Sequence, residues 1–260
     1  MKHFTPKKLI LSSLISTCIL ASQYTPAHSG LFVEEATEGE VVLNYISVGH
    51  GCENAKTPAD NFTKPSVVAN VMIFPDETGT IEIDGADAAT TPADYLTTWP
   101  GRLIRNIPSK AVFDKQQVKY GSAVTKIVGI ANYGGGGSIP GYNSNGLLPF
   151  KITAPSIKPS SCAKSVTFNV NVIDICKITG VRGFSRSTVN PWISLVGSKF
   201  DAFPTLDGLG EAGTFTVNRD TNINPLPITG CSPAGGNDIT VTATGVQINR
   251  DATIKGVWPK

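Results

Sequence analysis

The sequence has little of the chemistry that enzymes use. It contains only three histidines, His3, His28 and His50, and 16% of its residues are charged. It lacks a G-x-S-x-G nucleophile motif, an H-E-x-x-H metal motif and a G-K-[ST] phosphate loop. The run "YGGGGS" (133–138) is followed by Pro140 and not by a helical pattern, which predicts a loop and no dinucleotide site. We therefore expect a protein that is not an enzyme.

An excess of charge of one sign and long hydrophobic runs are also missing after the N-terminal region. The formal net charge is +2, and removal of residues 1–27, which hold three lysines and no acid, lowers it to −1. Such a balance does not favour nucleic-acid binding. After residue 27, no apolar run approaches the roughly 20 residues of a membrane-spanning helix. We expect neither a nucleic-acid partner nor a transmembrane segment in the mature chain.

The first 27 residues have the pattern of a secretory signal peptide. Lysines precede the apolar stretch 9–21, which is too short to span a bilayer, and small residues follow it. Cleavage after Ala27 would leave His28 as the first residue, whereas cleavage after Ser29 would remove it. The preference for small residues at the cleavage site does not separate the two. The pattern predicts a bacterial protein that is periplasmic or secreted.

The cysteines agree with export. Four of the five lie in the mature chain: Cys52, Cys162, Cys176 and Cys231. An even number of cysteines in an exported chain predicts two disulfides. A metal site is the weaker interpretation, because no C-x-x-C spacing occurs. Four cysteines allow three pairings, and their spacing does not choose among them.

The mature chain has the pattern of an all-β protein. It is rich in Val, Ile and Thr, and its 26 glycines and 16 prolines include turn clusters at short intervals. Alternating positions of Lys164–Ile175 are apolar up to Val172, which predicts a strand buried on one face. The predicted strands are 40–48, 66–74, 123–133, 146–154 and 164–175.

The rest of the chain divides at about Ser198. Before that point, the region 91–107 predicts a short helical turn that begins at Thr91 and Pro92. After it, strand pairs with Asn- and Asp-rich turns are predicted at 210–230 and 238–258. We therefore expect three parts, which are a signal peptide (1–27), a β-sandwich domain (28–197) and a C-terminal β extension packed on the same domain (198–260).

A histidine at a free N-terminus is the candidate metal ligand. The α-amine and Nδ1 of His28 would close a chelate ring suited to Cu(II), provided that the amine is free and the imidazole neutral. His50, in "GHGC", has two interpretations. It is a second nitrogen donor, or it is a buried and hydrogen-bonded turn histidine, which the sequence context favours.

The order of landmarks along the chain resembles the YcnI-like periplasmic copper-binding family. The resemblance covers about residues 28–194, and its most specific element is "GHGC" some twenty residues after an Ala-His junction. The matching segments are "HSGLFVEEATEGEVVLNYISVGHGC" (28–52), "SVVANVMIFP" (66–75), Trp99, "GGSIP" (136–140), "FNVNVIDIC" (168–176) and "PWIS" (191–194).

The resemblance implies several structural features. It implies an immunoglobulin-like or cupredoxin-like β-sandwich, and it favours cleavage after Ala27. It also implies a disulfide between Cys52 and Cys176, which leaves Cys162 and Cys231 to pair with each other and tie down the C-terminal extension.

The resemblance further implies a copper site of the single-histidine brace type. Such a site consists of the N-terminal histidine, a carboxylate on the second strand and a tryptophan near the glycine pair. His28 matches the first position, Glu40 is the acid closest to the second, and Tyr133 stands at the third. We therefore expect Cu(II) to be held by His28, with Glu40 and Tyr133 as oxygen donors and His50 as the alternative nitrogen donor.

The expected function follows from that site. The protein would buffer or deliver Cu(II) in the periplasm, with copper-handling membrane or periplasmic proteins as its partners. The alternative is a secreted structural or adhesive β-module that keeps the fold without the metal.

Overall fold

The computed structural model describes residues 28–53, 64–97, 104–121, 127–141, 145–231 and 235–260. The predicted signal peptide (1–27) and Trp99 lie outside the described residues. Within them the regular secondary structure is almost wholly β-strand, which confirms the predicted all-β class. No helix in this part of the chain has the length and apolar character needed to cross a membrane.

An observed strand coincides, within a few residues, with each of the five predicted ranges, but further strands such as Thr80–Ile83 and Lys115–Tyr120 were not predicted. The region at Thr91 forms a 3₁₀ turn, Pro92–Asp94, and a second 3₁₀ turn is Val181–Gly183. In chain order the strands are β1 (Gly30–Leu31), β2 (Glu35–Thr37), β3 (Val41–Val48), β4 (Ala69–Ile73), β5 (Thr80–Ile83), β6 (Ala86–Ala88), β7 (Arg105–Asn106), β8 (Lys115–Tyr120), β9 (Ile127–Tyr133), β10 (Gly146–Thr153), β11 (Ala163–Ile175), β12 (Val189–Trp192), β13 (Gly213–Asn218) and β14 (Asn237–Thr242).

Two sheets pack face to face. The smaller has the order β1-β3-β10-β7, and the larger has the order β6-β5-β14-β11-β4-β9-β8, with β12 and β13 also paired to β11 and β2 paired to β13. Ile46 and Phe150 of the smaller sheet are buried in the same apolar cluster as Phe168 and Phe215 of the larger. The molecule is therefore a β-sandwich whose main core lies between the sheets.

Strand β11 organises the larger sheet. Its first half pairs with β13 on one side and β14 on the other, and its second half pairs with β12 and β4. The expectation that β11 is buried on one face is wrong for the second half, where every residue from Asn171 to Ile175 is buried. The outer face there carries Ile173 and Ile175, which pack in a second apolar cluster with Trp258.

The segment after Ser198 is part of the sandwich itself. Strand β14 lies between β11 and β5, so the predicted boundary at residues 197 and 198 does not separate an added layer from the core. The second half of the predicted strand pair at 238–258 is also wrong, because Gly245–Asp251 forms the helix α1. Thr244 caps this helix by accepting a hydrogen bond from the main-chain N–H of Gln247, at 3.2 Å.

Both disulfides have the pairing that the family resemblance implied. Cys52 is bonded to Cys176, and Cys162 is bonded to Cys231, with Cα–Cα distances of 6.0 and 5.2 Å. The first joins the residues that follow β3 to the end of β11, and the second joins the start of β11 to the C-terminal region. The central strand of the larger sheet is thus crosslinked beyond both of its ends.

Candidate functional site

Both histidines of the expected mature chain meet at one tryptophan. Trp192 ends strand β12 and is 1% exposed. The ring of His28 stacks on the indole with the centroids 4.6 Å apart and an interplanar angle of 24°. The ring of His50 meets the same indole edge-on, at 5.8 Å and 75°. The structure therefore brings together two of the four predicted metal-site residues.

Strand pairing explains why these histidines converge. In the antiparallel pair β1–β3, Gly30 lies opposite Ser47 and Leu31 lies opposite Ile46. Continuing the same register places residue 28 opposite residue 49, next to His50. The convergence is thus a consequence of the register between the first strand and the strand that leads into "GHGC".

A carboxylate lies beside the His28 ring. Nε2 of His28 lies 3.2 Å from Oε2 of Glu211. In a neutral ring whose Nε2–H faces this carboxylate, the lone pair lies on Nδ1. Metal-binding histidines commonly have this arrangement, in which the second ring nitrogen donates to a carboxylate.

Glu211 is held in place by a turn that packs on the same tryptophan. Its main-chain N–H donates to the carbonyl of Gly208, at 3.1 Å. Gly208 has a φ of +80°, and a Cβ at that position would come within 2.5 Å of the Trp192 ring. Only glycine combines this conformation with so close an approach. The indole therefore positions both members of the His28–Glu211 pair.

The "GHGC" turn holds His50 through its Nδ1, whereas His28 is contacted through its Nε2. Nδ1 of His50 lies 2.6 Å from the carbonyl oxygen of Gly51, which only accepts, so Nδ1 carries the hydrogen and Nε2 presents its lone pair. Gly51 is tightly packed, since a Cβ there would lie 1.8 Å from the carbonyl oxygen of Pro65. His50 is thus a hydrogen-bonded turn histidine and at the same time a neighbour of the indole on which His28 stacks.

Asp174 lies beneath the histidines as a fully buried carboxylate. It accepts hydrogen bonds from the hydroxyl of Ser29 at 2.5 Å, the amide of Asn70 at 2.7 Å and the indole N–H of Trp192 at 3.1 Å. Burial raises the pKa of Asp174 to about 6, and the three hydrogen bonds oppose that rise. This residue was not predicted, although it shares the core-facing positions of β11 with Val170 and Val172.

Glu40 does not belong to this site. Its Oε2 accepts a hydrogen bond from the main-chain N–H of Thr37, at 3.0 Å, in the turn between β2 and β3. It precedes Val41, the first residue of β3, which pairs with Thr153. Ser47 lies near the other end of the same strand. The length of β3 separates Glu40 from the histidines by roughly 20 Å. The expectation that Glu40 shares a metal ion with His28 is therefore wrong, and the acid next to His28 is Glu211.

Tyr133 does not belong to the site either. It lies on β9, opposite Ala69 and Lys115, and two strands separate β9 from the strand that carries Trp192. It also packs against the second apolar cluster, whereas Trp192 belongs to the core between the sheets. The aromatic residue beside His28 is thus Trp192. In the family resemblance, Trp192 belongs to the last matching segment, "PWIS", and was not assigned to the copper site.

Side chains alone do not complete a metal site. In the described ranges, no group of three or more His, Cys, Asp or Glu side chains is close enough together to hold a metal ion. The pair of imidazole nitrogens at Trp192 supplies donors that suit Cu(II), and a further donor would have to come from the main chain or from solvent.

Comparison with known proteins gives no functional precedent. No protein-family model matches the chain, and no curated protein matches it. A solved structure with similarity to this chain is that of an uncharacterized protein from Nocardia farcinica, described as having an immunoglobulin-like fold. The two share 11% identity over 84% of this chain and 99% of that chain, with a TM-score of 0.34.

Proposed function

We propose that the protein is an exported copper-binding protein that takes up one Cu(II) ion at His28 and buffers or delivers it without catalysis. The observation that carries the proposal is the meeting of His28 and His50 at Trp192. Nε2 of His28 faces Glu211 and Nδ1 of His50 is hydrogen-bonded to the carbonyl of Gly51, so Nδ1 of His28 and Nε2 of His50 are the candidate donors.

The donor set is suited to Cu(II). In a chain that begins at His28, the α-amine and Nδ1 of the same residue would hold the ion, and Nε2 of His50 would supply a second imidazole. Glu211 would orient the His28 ring from its other nitrogen. Because the described side chains form no group of three ligands, the proposal depends on the amine of His28.

Export and copper handling fit together. The N-terminal pattern of a signal peptide and the two disulfides favour the periplasm or the extracellular space. The resemblance to the YcnI-like family supports the same assignment. The partners would be copper-handling membrane or periplasmic proteins that exchange the ion with His28.

A copper titration of protein that begins at His28 tests the proposal. At neutral pH we expect one Cu(II) per chain by calorimetry and an electron paramagnetic resonance spectrum with nitrogen ligands. One residue added before His28 should weaken binding severely, because it moves the free amine out of the chelate. His28→Ala should do the same by removing the imidazole, and His50→Ala should weaken binding less.

Glu40→Gln is the matched control, because it changes a carboxylate far from the histidines and should leave the affinity unchanged. The proposal fails if the protein with His28 at its terminus takes up no Cu(II). It also fails if the added residue makes no difference to the affinity.

A second candidate function is that of an adhesive β-module. The outer face of the smaller sheet exposes Phe32, Val41 and Leu43 by 64%, 55% and 54%. Phe32 also packs edge-on against Tyr45, at 6.0 Å. Exposed apolar patches of this kind mark interaction surfaces. Retention on bacterial cells in the presence of a chelator should then fall in Leu43→Lys, and equal retention of both proteins argues against this function.

A further inference from the structure

Asp174 connects three parts of the candidate site through one side chain. Its Oδ2 accepts from both the Ser29 hydroxyl and the Trp192 indole N–H, and its Oδ1 accepts from the Asn70 amide. These donors come from the segment before β1, from β12 and from β4. Burial of a carboxylate is unfavourable unless it is hydrogen-bonded, so the three donors are needed to keep this group in the core.

The main chain that carries His28 leads into a very short strand. Strand β1 has only two residues, Gly30 and Leu31, and chain ends are poorly ordered unless they are tied down. Ser29 is 2% exposed and hydrogen-bonds to Asp174, so it fixes the main chain directly next to His28. The same carboxylate oxygen fixes the indole on which the His28 ring stacks.

We propose that Asp174 is a positioning residue that, through Ser29 and Trp192, holds the terminal residue His28 in the place where it binds Cu(II). The proposal rests on the proposed copper function for its purpose. The hydrogen bond itself does not depend on the metal, so it orders the terminus in the copper-free protein as well. A pre-ordered chelate loses less conformational freedom when the ion binds.

The test uses protein that begins at His28 and compares Ser29→Ala with Ser29→Thr. Ser29→Ala removes the donor, whereas Ser29→Thr keeps a hydroxyl and should restore wild-type behaviour. Without copper, Ser29→Ala should speed hydrogen–deuterium exchange in the peptide that contains Gly30 and Leu31. With copper, its affinity for Cu(II) should fall about 10-fold to 100-fold, the usual effect of removing a group that orients a ligand.

Ser165 provides a matched control. Its hydroxyl donates to Oδ1 of Asp238 at 2.6 Å, at the other end of β11, so Ser165→Ala removes a serine–aspartate hydrogen bond of the same kind far from His28. It should change neither the exchange at the N-terminus nor the copper affinity. Asp174→Asn should behave like Ser29→Ala, and if it does not fold, the two Ser29 variants carry the test.

The outcomes separate this inference from the proposed function. If wild type binds Cu(II) and Ser29→Ala binds it equally well with unchanged exchange, the positioning role is overturned and the copper function stands. If wild type binds no Cu(II), the copper function fails together with the purpose assigned to Asp174. Faster exchange and weaker binding in Ser29→Ala, both restored in Ser29→Thr, support the proposal.

Discussion

Asp174 makes stability depend on pH in a direction opposite to that of an ordinary surface aspartate. Burial raises its pKa from 3.8 to about 6 in the folded protein. Between these pH values the folded state therefore binds more protons at this group than the unfolded state does. The stability that Asp174 contributes is fully present below pH 3.8 and is lost as the pH rises through about 6.

Asp174→Asn should remove this dependence. We expect the difference in unfolding free energy between wild type and Asp174→Asn to shift against wild type as the pH rises from 4 to 7. Urea denaturation of both proteins at several pH values in that window measures it. A constant difference would mean that Asp174 has an ordinary pKa in the folded protein.

The residues of the candidate site differ in how far the sequence predicts them. His28 and His50 could be predicted, because the signal-peptide pattern and the "GHGC" turn are local features. Glu211 could not, because it reaches His28 only through the packing of the Gly208 turn on Trp192. Such a contact between distant parts of the chain leaves no pattern in the sequence.

At the scale of elements, the strands predicted before Ser198 are found, whereas each strand pair predicted after it is found only in its first half, as β13 and β14. Residues 219–230 form no strand, and helix α1 stands where the last strand was predicted. The alternating pattern of β11 predicted its position to within one residue, although it did not show what covers the outer face of its second half. Helix α1 follows Val241 and contains Val246 and Ile248, which are typical of strands. The stronger signal was Thr244 followed three residues later by Gln247, which is typical of a helix start.

The cap of α1 gives a prediction at this scale. Thr244→Ala removes the side-chain acceptor for the N–H of Gln247 and should lower the unfolding free energy by about 1 kcal/mol. Thr244→Ser keeps the acceptor and should remain within a few tenths of the wild-type value. Thermal and chemical denaturation measure both variants. Equal stability of all three proteins would show that the cap contributes nothing.

For the whole molecule, the position of β14 predicts that the C-terminal region cannot be removed. A chain ending at residue 197 loses β13, β14 and α1, and with them the partners on both sides of the first half of β11. Phe168 and Phe215 also share the main core. We expect the truncated protein, with Cys162 replaced by Ser, to show no cooperative unfolding transition by circular dichroism. A cooperative transition at lower temperature would support the domain boundary that the sequence predicts between residues 197 and 198.

The disulfide between Cys52 and Cys176 crosslinks two parts of the proposed copper site. It ties the residue two positions after His50 to the residue two positions after Asp174, so it joins the two halves of the site covalently. Disulfides are rare in a reducing cytoplasm, so a chain exported as proposed would acquire this bond after export. The replacement of both cysteines by Ala should therefore weaken Cu(II) binding in titrations even where the protein still folds. Oxidation of these cysteines after export would then complete the site. Copper binding would therefore follow synthesis and would take place in a different compartment.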